Sequence, residues 1–456
     1  MYFPFIIFLF INFIAIYGIS KNWKRATSLV NTKAIILSIL FHLLFSIFYY
    51  YNSIRFQNFN SYSFGSDSLI YQKILEDLIK DGLQSTLVQN YISDGKITHV
   101  FLYQPIGSIL GINTLSAYVI ILQNILLLFS SYFFLFGYIK KKISNQGITI
   151  KQINTAKAVS LILLFLPVSF ITPVSFLRES LILFSTTTVL YFLNYKKRII
   201  PYILLPIILL ILAYLRSMYV YLFALGITAN HLISINSHKK KYIITILAIV
   251  VLFLIPKEYI SQFFIGIFRR LLFLQDADIG SLGKNSYLAI NTDILYSKNF
   301  SVLSVFNIFV TRFIIGSIRF ILTPLFASSL IDLTMPPTLF SFYKGMEVKI
   351  IDIFSAFQYN FFLLPLSIGA LYNFIKNKSI KYDASLLLLL IYILGTIAVY
   401  GVKFLGDRNM RIDLIYQPLL ILFIACYGSK KSVFYAVILF MIALNLVYLI
   451  LKSKGA

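Results

Sequence analysis

The sequence predicts an all-α fold, a bundle of helices that crosses a membrane many times. The chain of 456 residues is 59% hydrophobic and only 12% charged, and its mean hydropathy is +0.85. Soluble domains carry about 25% charged residues. Several apolar runs are as long as the roughly 18 residues that mark a spanning helix. The runs are continuous rather than alternating, which excludes a membrane β-barrel.

The apolar runs predict about twelve spans. We expect the first one to be retained, because the segment 3–20 lacks the basic start and the small-residue cleavage site of a signal peptide. Residues 98–111 contain Pro105 and Gly107, and they predict a re-entrant or interfacial piece. The predicted spans are 3–20, 34–51, 115–138, 157–172, 177–194, 199–214, 218–235, 241–256, 355–376, 384–402, 412–428 and 431–451.

The net charge of +24 indicates how the chain is oriented in the membrane, and it does not predict a nucleic-acid partner. Lys and Arg crowd the short loops near residues 21–33, 140–157, 196–198, 239–241, 376–381 and 430–431. Short loops rich in these residues stay in the cytoplasm. Residues 52–114, 257–354 and 403–411 are then predicted to lie outside, together with nearly all the carboxylates.

We expect one integral membrane domain over residues 1–456, with two large outer loops at 52–114 and 257–354. The second loop contains Arg312 and Arg319, which are seven residues apart and would share one face of a helix. The opposite face is apolar. This pattern predicts a helix that lies in the outer interface or dips into it.

Neither a metal nor a cofactor is expected. The single cysteine, Cys426, sits in an apolar run, and the four histidines do not cluster in the sequence. The outer acids are too scattered to predict a cation site. No phosphate-binding loop, dinucleotide fingerprint or His-Glu-x-x-His motif is present.

Asp67 is the first carboxylate in the chain and the leading candidate for a catalytic base. It follows the second predicted span, and Tyr71 comes four residues later. A carboxylate at the outer membrane surface can take a proton from a sugar hydroxyl. The alternative is structural, because Ser66, Asp67 and Ser68 are all good N-caps for a helix that begins near Leu69. One residue can serve both purposes.

Arg178 and Glu179 lie at a predicted outer turn between two spans. An ionised pair at a membrane mouth is costly unless it is partnered, and such pairs are often functional. The alternative is that the two residues pair with each other or extend to the headgroups. Arg216 lies at the next outer turn, where extension to the headgroups is again the simpler interpretation. Its recurrence beside Arg178 favours a shared anion site.

The stretch Gly406–Asp413 is the densest charge cluster of the second half, and it opens the run Leu414–Tyr427. Its arginines, Arg408 and Arg411, can bind phosphate in a planar, bidentate way that lysine cannot. Arginines are about as common as lysines in the predicted outer regions, whereas the cytoplasmic loops contain nearly all lysine. The alternative is ion pairing of these arginines with the acids of the same stretch.

Three stretches resemble bacterial polytopic membrane enzymes, namely GT-C glycosyltransferases and Wzy-type polysaccharide polymerases. The Asp-x-x-x-Tyr spacing in Gly65–Tyr71 is similar to the first large outer loop of GT-C enzymes, where the Asp is commonly the base. Leu177–Leu181 is similar to the basic-acidic pair at an outer turn of such proteins. Arg408–Leu420 resembles an Arg-x-Arg-x-x-x-x-x-Pro stretch, although the two arginines here are three apart instead of two. An extra helix also precedes the first outer loop.

The resemblance implies a GT-C-like glycosyltransferase that polymerises undecaprenyl-diphosphate-linked oligosaccharide repeat units of O-antigen or capsule. It implies a multi-pass protein of the bacterial inner membrane with its site facing the periplasm. The partners would be the lipid-linked oligosaccharide, the bilayer and, as a candidate, a chain-length regulator protein. Asp67 or Glu179 would activate the acceptor hydroxyl, and the helix near residues 312–326 would guide the lipid tail. The residues implied to bind the substrate are Tyr71, Arg178, Arg216, Arg312, Arg319, Arg408 and Arg411.

Two alternatives stay open at this point. Within the same class, the protein could add a single sugar as a GT-C transferase or act as an O-antigen ligase, and only a polymerase yields a ladder of products. From another class, it could be a flippase for lipid-linked oligosaccharide. A flippase is expected to show related halves, with charges on both sides of the midplane. The sequence shows no such halves, and its acids crowd one side.

Overall fold

The computed structural model describes residues 2–57, 66–85, 88, 98–145, 150–174, 178–193, 204–212, 215, 219–220, 222–223, 302–339, 343–376, 384–404 and 410–453. The helices of the first half are α1 (Tyr2–Leu29), α2 (Thr32–Gln57), α3 (Ser66–Lys80), α4 (Thr98–Leu110), α5 (Thr114–Asn145), α6 (Ile150–Leu164), α7 (Val168–Ile171) and α8 (Glu179–Leu193). Those of the second half are α9 (Val302–Leu322), α10 (Phe326–Asp332), α11 (Met346–Gln358), α12 (Leu364–Lys376), α13 (Ala384–Phe404), α14 (Met410–Tyr427) and α15 (Lys431–Ser453).

Among the described residues, short pieces of other backbone structure lie between these helices. A 3-10 turn at Gly82–Gln84 follows α3, and another at Thr172–Val174 follows α7. A π-helical turn at Tyr359–Leu363 joins α11 to α12. The two-residue strands β1 (Thr338–Leu339) and β2 (Tyr343–Lys344) pair antiparallel.

The predicted all-α class is confirmed, apart from this small strand pair. In the part of the chain that the structure describes, six helices are long and apolar enough to cross a membrane. They cover Pro4–Leu29, Thr32–Phe56, Thr114–Ser144, Gln152–Val174, Met346–Lys376 and Lys431–Ser453. Shorter apolar helices cover Glu179–Leu193, Leu389–Ala398 and Ile412–Tyr427. The count of about twelve stays a prediction, because residues 241–256 and most of 218–235 lie outside the described residues.

Several basic clusters of the sequence meet at one end of the bundle. At the end of α1, Trp23 stacks on Phe133 of α5 at 5.5 Å, and Arg25 donates to the Tyr191 hydroxyl of α8 at 3.2 Å. At the end of α12, the amide nitrogen of Asn373 donates to the carbonyl of Tyr427 at 3.4 Å. We call this end the basic rim, and its basic residues are Lys21, Lys24, Arg25, Lys140, Lys141, Lys142, Lys376, Lys430 and Lys431.

The structure corrects one expectation about this rim. The cluster that begins at Lys21 was predicted to lie in a loop after a span ending at residue 20, but α1 continues to Leu29. In the same way α5 continues through Lys140 and ends at Asn145. Lys and Arg are good helix formers, so nothing in the local sequence stops either helix at the membrane surface. The basic side chains therefore extend from rigid helix ends.

The helix α14 is the centre of the bundle. Every residue from Ile412 to Tyr427 is buried, and the helix packs against α5, α6, α8, α12 and α13. By contrast, α15 exposes most of its side chains and buries only Met441 and Asn445. Its apolar faces are those expected to contact lipid.

Helices α9 and α10 are bent by 73° relative to each other. Such a break leaves backbone groups without helical partners, and at membrane depth these must be satisfied by protein. Side chains of the π-helical turn and of α15 supply the partners here. Tyr359 donates to Ile321 O at 2.7 Å, Asn360 donates to Pro324 O at 2.6 Å, and Asn445 accepts from Ala327 N–H at 2.8 Å.

The predicted helix of the second outer loop is present, but it begins earlier than expected. It is α9, and it packs against α13, with Phe320 stacked against Tyr400 at a centroid distance of 6.1 Å. Its interfacial position and the outer loops 52–114 and 257–354 stay predictions. Much of both loops, including residues 257–301, lies outside the described residues.

Candidate functional site

A chain of buried polar contacts joins α4, α5 and the turn before α8. The hydroxyl of Tyr103 in α4 donates to Oδ1 of Asn124 in α5. Nδ2 of Asn124 donates to the carbonyl oxygen of Pro173 at 2.9 Å. Both Tyr103 and Asn124 are fully buried. The amide therefore fixes the position of the Thr172–Val174 turn relative to two long helices.

Two aromatic residues extend this chain toward α3. The imidazole of His99 is fully buried and lies 6.4 Å from the ring of Tyr103. The ring of Tyr71 meets it edge-on at 4.1 Å. Tyr71 lies on the buried face of α3, while Lys73 and Glu76 on the same helix are exposed. The amphipathic pattern of α3 thus brings Tyr71 inward.

Arg178 and Glu179 stand where α8 begins. The carbonyl of Arg178 accepts the N–H of Ile182 at 3.0 Å, which starts the helix. Nη1 of Arg178 donates to the carbonyl of Leu215 at 2.9 Å. Glu179 is 2% exposed, and an acid in the first turn is stabilised by the helix macrodipole. Glu179 is therefore buried inside the protein, whereas Arg178 is half-buried.

The carboxylate of Glu179 acts electrostatically on Tyr103. Burial raises the pKa of the Tyr103 phenol, the hydrogen bond to Asn124 lowers it, and the negative charge of Glu179 raises it further. Helix α4 is not among the helices long enough to span a membrane. The Tyr103 phenol stays protonated and can act only as a donor toward Asn124. We call Tyr71, His99, Tyr103, Asn124, Arg178 and Glu179 the polar cluster.

Helix α14 brings two further polar side chains to the interior next to α8. Asp413 and Gln417 are four residues apart, so they share one face, and they are 2% and 0% exposed. The helix contacts α8 and the Thr172–Val174 turn. In the described part of the chain, neither amide atom of Gln417 has a hydrogen-bond partner. An unpartnered buried amide costs stability and is a candidate ligand-binding group.

Comparison with protein families, with curated proteins and with solved structures finds no match for this chain. The candidate site is therefore argued from its own geometry.

The structure places three of the residues proposed from sequence in the polar cluster, namely Tyr71, Arg178 and Glu179. Arg319 is exposed on α9. Asp67, Arg312 and Arg411 lie within helices α3, α9 and α14, but their side chains lie outside the described part. Arg216 and Arg408 fall outside it altogether.

One detail of the sequence predictions changes. Helix α3 begins at Ser66 and not near Leu69, so Asp67 lies inside the first turn and not before it. An acid there is still favoured by the macrodipole.

Among the described residues, no three of His, Cys, Asp or Glu are grouped to hold a metal ion. The expectation that the protein needs no metal stays a prediction.

Sequence reasoning missed His99, Tyr103 and Asn124, and it treated Asp413 only as a partner for an arginine. One signal could have found all of these residues except Asn124. His99 with Tyr103 and Asp413 with Gln417 are polar pairs at a spacing of four within apolar helices. In a membrane protein, polar groups on one helical face indicate an inner surface.

Proposed function

We propose that this protein is a membrane glycosyltransferase that uses a sugar donor linked to a polyprenyl diphosphate. In its most specific form, the proposal is polymerisation of undecaprenyl-diphosphate-linked repeat units of O-antigen or capsule. One observation carries it. A buried acid, Glu179, and an arginine, Arg178, stand together at a helix start, beside an ordered network of tyrosine, histidine and asparagine.

The chemistry needs a base and a cation, and this pair supplies both. The carboxylate of Glu179 takes the proton of the acceptor hydroxyl. The acceptor oxygen then bonds to the anomeric carbon, and the bond from that carbon to the diphosphate oxygen breaks. The guanidinium of Arg178 stabilises the negative charge that develops on the departing diphosphate. Asp67 and the arginines of α14 remain candidates for the same two roles.

The depth of the cluster favours an enzyme that works at one membrane face. Lys140 at the basic rim and Asn124 are both in α5, about 24 Å apart at 1.5 Å per residue. In α8, Tyr191 at the same rim is about 18 Å from Glu179. The hydrocarbon core is about 30 Å thick. Asn124 would then lie about 9 Å beyond the midplane as seen from the lysines, and Glu179 about 3 Å beyond it, which favours a site nearer the opposite face.

A transfer assay on Glu179→Gln tests the proposal. Purified protein in lipid nanodiscs would receive undecaprenyl-diphosphate-linked oligosaccharide, and products would be separated by size. Loss of a general base costs about 10²- to 10⁴-fold in rate, so we expect a loss of at least about a hundredfold. The matched control is Glu76→Gln, because Glu76 is an exposed acid on α3. Equal activity in both variants would refute the role of Glu179.

The products also distinguish the alternatives within the class. A ladder of lengths indicates a polymerase, whereas a single added unit indicates a single-sugar transferase or a ligase. If the unmodified protein forms no glycosidic bond with any of these lipid-linked substrates, the proposed function is wrong.

A flippase for the same lipid-linked substrate is the second candidate, and the bend between α9 and α10 favours it. Transporters use discontinuous helices whose ends face the substrate. Their binding sites lie near the midplane, however, whereas the Asn124 end of the polar cluster would lie about 9 Å beyond it. Formation of new glycosidic bonds in detergent micelles, where no transport can occur, would decide for the enzyme.

A further inference from the structure

A groove of about 460 Å³ lies between the α6–α7 segment and α11. One wall is formed by Phe165, Pro167 and Phe170, and the other by Phe354, Phe357 and Phe362. Phe354, Phe357 and Phe362 are exposed. The two walls belong to the apolar segments Gln152–Val174 and Met346–Lys376, which are both candidate spans. The mouth of the groove therefore opens toward lipid.

Two departures from helical geometry meet at this groove. On one side, α6 ends at Leu164 and α7 begins at Val168, with Pro167 in the turn between them. On the other side, the π-helical turn Tyr359–Leu363 follows α11. Irregular backbone within a membrane is tolerated where it is buried or lines a cavity, and π-turns are frequent at functional sites. We interpret the coincidence as a built recess.

Helix α2 holds the broken wall in place. The Ser38 hydroxyl donates to the carbonyl of Leu164 at 2.5 Å, so it satisfies a carbonyl that the break frees. The ring of His42 stacks on Phe170 with centroids 4.2 Å apart, and its Nε2 lies 2.8 Å from the Ser169 hydroxyl. The wall is thus braced from behind, and the groove does not depend on a ligand to keep its shape.

The lining decides what class of molecule can enter. Gln358 is the only polar residue among the described residues that line the groove. A sugar or phosphate placed there would lose its hydration without gaining enough hydrogen bonds, whereas a hydrocarbon chain loses nothing. Phe170 is three residues from Pro173, whose carbonyl binds Asn124. A chain in the groove would therefore have its polar head close to the polar cluster.

We propose that this groove holds part of the isoprenoid chain of the lipid-linked substrate, next to the diphosphate. The inference rests on the proposed function, and it adds the site where the lipid is recognised. It moves that site away from α9, where the sequence resemblance placed it.

A bulky residue in the groove tests this binding mode. Ile162 lines the groove, whereas its neighbour Leu161 is exposed elsewhere on the helix and does not. Displacing two methylene groups of a bound chain weakens binding roughly tenfold. We expect Ile162→Trp to raise KM roughly tenfold for an undecaprenyl-linked donor. Leu161→Trp should leave this KM unchanged. Equal KM changes in the two variants would overturn the proposal.

Photo-crosslinking tests the groove without relying on catalysis. Undecaprenyl phosphate with a diazirine on its third isoprene unit should label peptides of α6–α7 and α11 in the unmodified protein. Unlabelled undecaprenyl phosphate should abolish this labelling, and an equal amount of phosphatidylglycerol should not. Equal competition by phosphatidylglycerol would mean that the groove holds bulk lipid, and labelling elsewhere would mean that it is not the chain site. If unlabelled undecaprenyl phosphate abolishes the labelling but the protein transfers no sugar, the proposed function is wrong and the groove is still a binding site for the isoprenoid chain.

Discussion

Replacing Asn124 by leucine should destabilise the protein by about 1–3 kcal/mol, because one amide connects three parts of the polar cluster. The substitution keeps the approximate volume of the side chain. It removes the acceptor of the Tyr103 hydroxyl and the donor to the carbonyl of Pro173. Both lost bonds are buried, so water cannot replace either one.

Two general scales bracket the magnitude. An unsatisfied buried group in a water-soluble protein costs about 1–3 kcal/mol. Hydrogen bonds between membrane helices average only about 0.6 kcal/mol, with a maximum near 1.7, because the unfolded state in the membrane also finds partners. With two bonds lost, the lower scale gives about 1 kcal/mol and its maximum about 3. Tyr103→Phe removes one of them and should cost about half as much.

The assay is the free energy of unfolding in bicelles, measured by steric trapping. Gln123→Leu is the matched control, because Gln123 precedes Asn124, is 7% exposed, and its Nε2 has no hydrogen-bond partner among the described residues. Its loss should be neutral or stabilising. The double variant Tyr103→Phe with Asn124→Leu should lose less than the sum of the single losses, since both remove the same bond. If the losses of stability of Tyr103→Phe and Asn124→Leu add up in the double variant, the assigned contacts are wrong. They are also wrong if Gln123→Leu and Asn124→Leu cost the same free energy.

Two further predictions follow from packing. Gly137→Ala should destabilise the protein by about 1–3 kcal/mol on the same unfolding assay, because a Cβ there would collide with the Asn22 amide and lie 2.8 Å from a Tyr191 ring carbon. Gly107→Ala is the control and should cost less, because its Cβ would meet only the flexible end of the Ile79 side chain. Asn445→Leu should speed amide hydrogen exchange in α10 about tenfold, because the N–H of Ala327 loses its acceptor. The control Leu446→Ala changes an exposed side chain and should leave amide exchange in α10 unchanged.

The positions of several apolar helices could be predicted because apolar length is a local property. The segments 34–51, 115–138 and 431–451 all fall within helices of the structure. The interruptions could not be predicted, because their causes are distant in sequence. The break after Leu164 depends on Ser38, and the bend between α9 and α10 depends on Asn360 and on Asn445, which comes last in the chain.

The candidate site was partly predictable for a similar reason. Arg178 and Glu179 were found because charge is rare in apolar surroundings, and Tyr71 because it follows an acid at helical spacing. Tyr103 and Asn124 were not found, since the chain has 32 tyrosines and the four-residue spacing of His99 and Tyr103 was the only signal for that phenol. Only contacts between helices show that these two residues hold the turn that leads to Glu179.

The composition of α14 shows why membrane helices must be interpreted differently from soluble ones. In water, a helix that is buried on every side is apolar, because burial is driven by removing apolar surface from solvent. In lipid, apolar surface gains little by facing protein, whereas a carboxylate facing hydrocarbon costs about 2.5–3.5 kcal/mol. Asp413 and Gln417 therefore favour the central position of α14, while the apolar α15 stays outside. The buried polar residues mark the interior, and the candidate site is built from them.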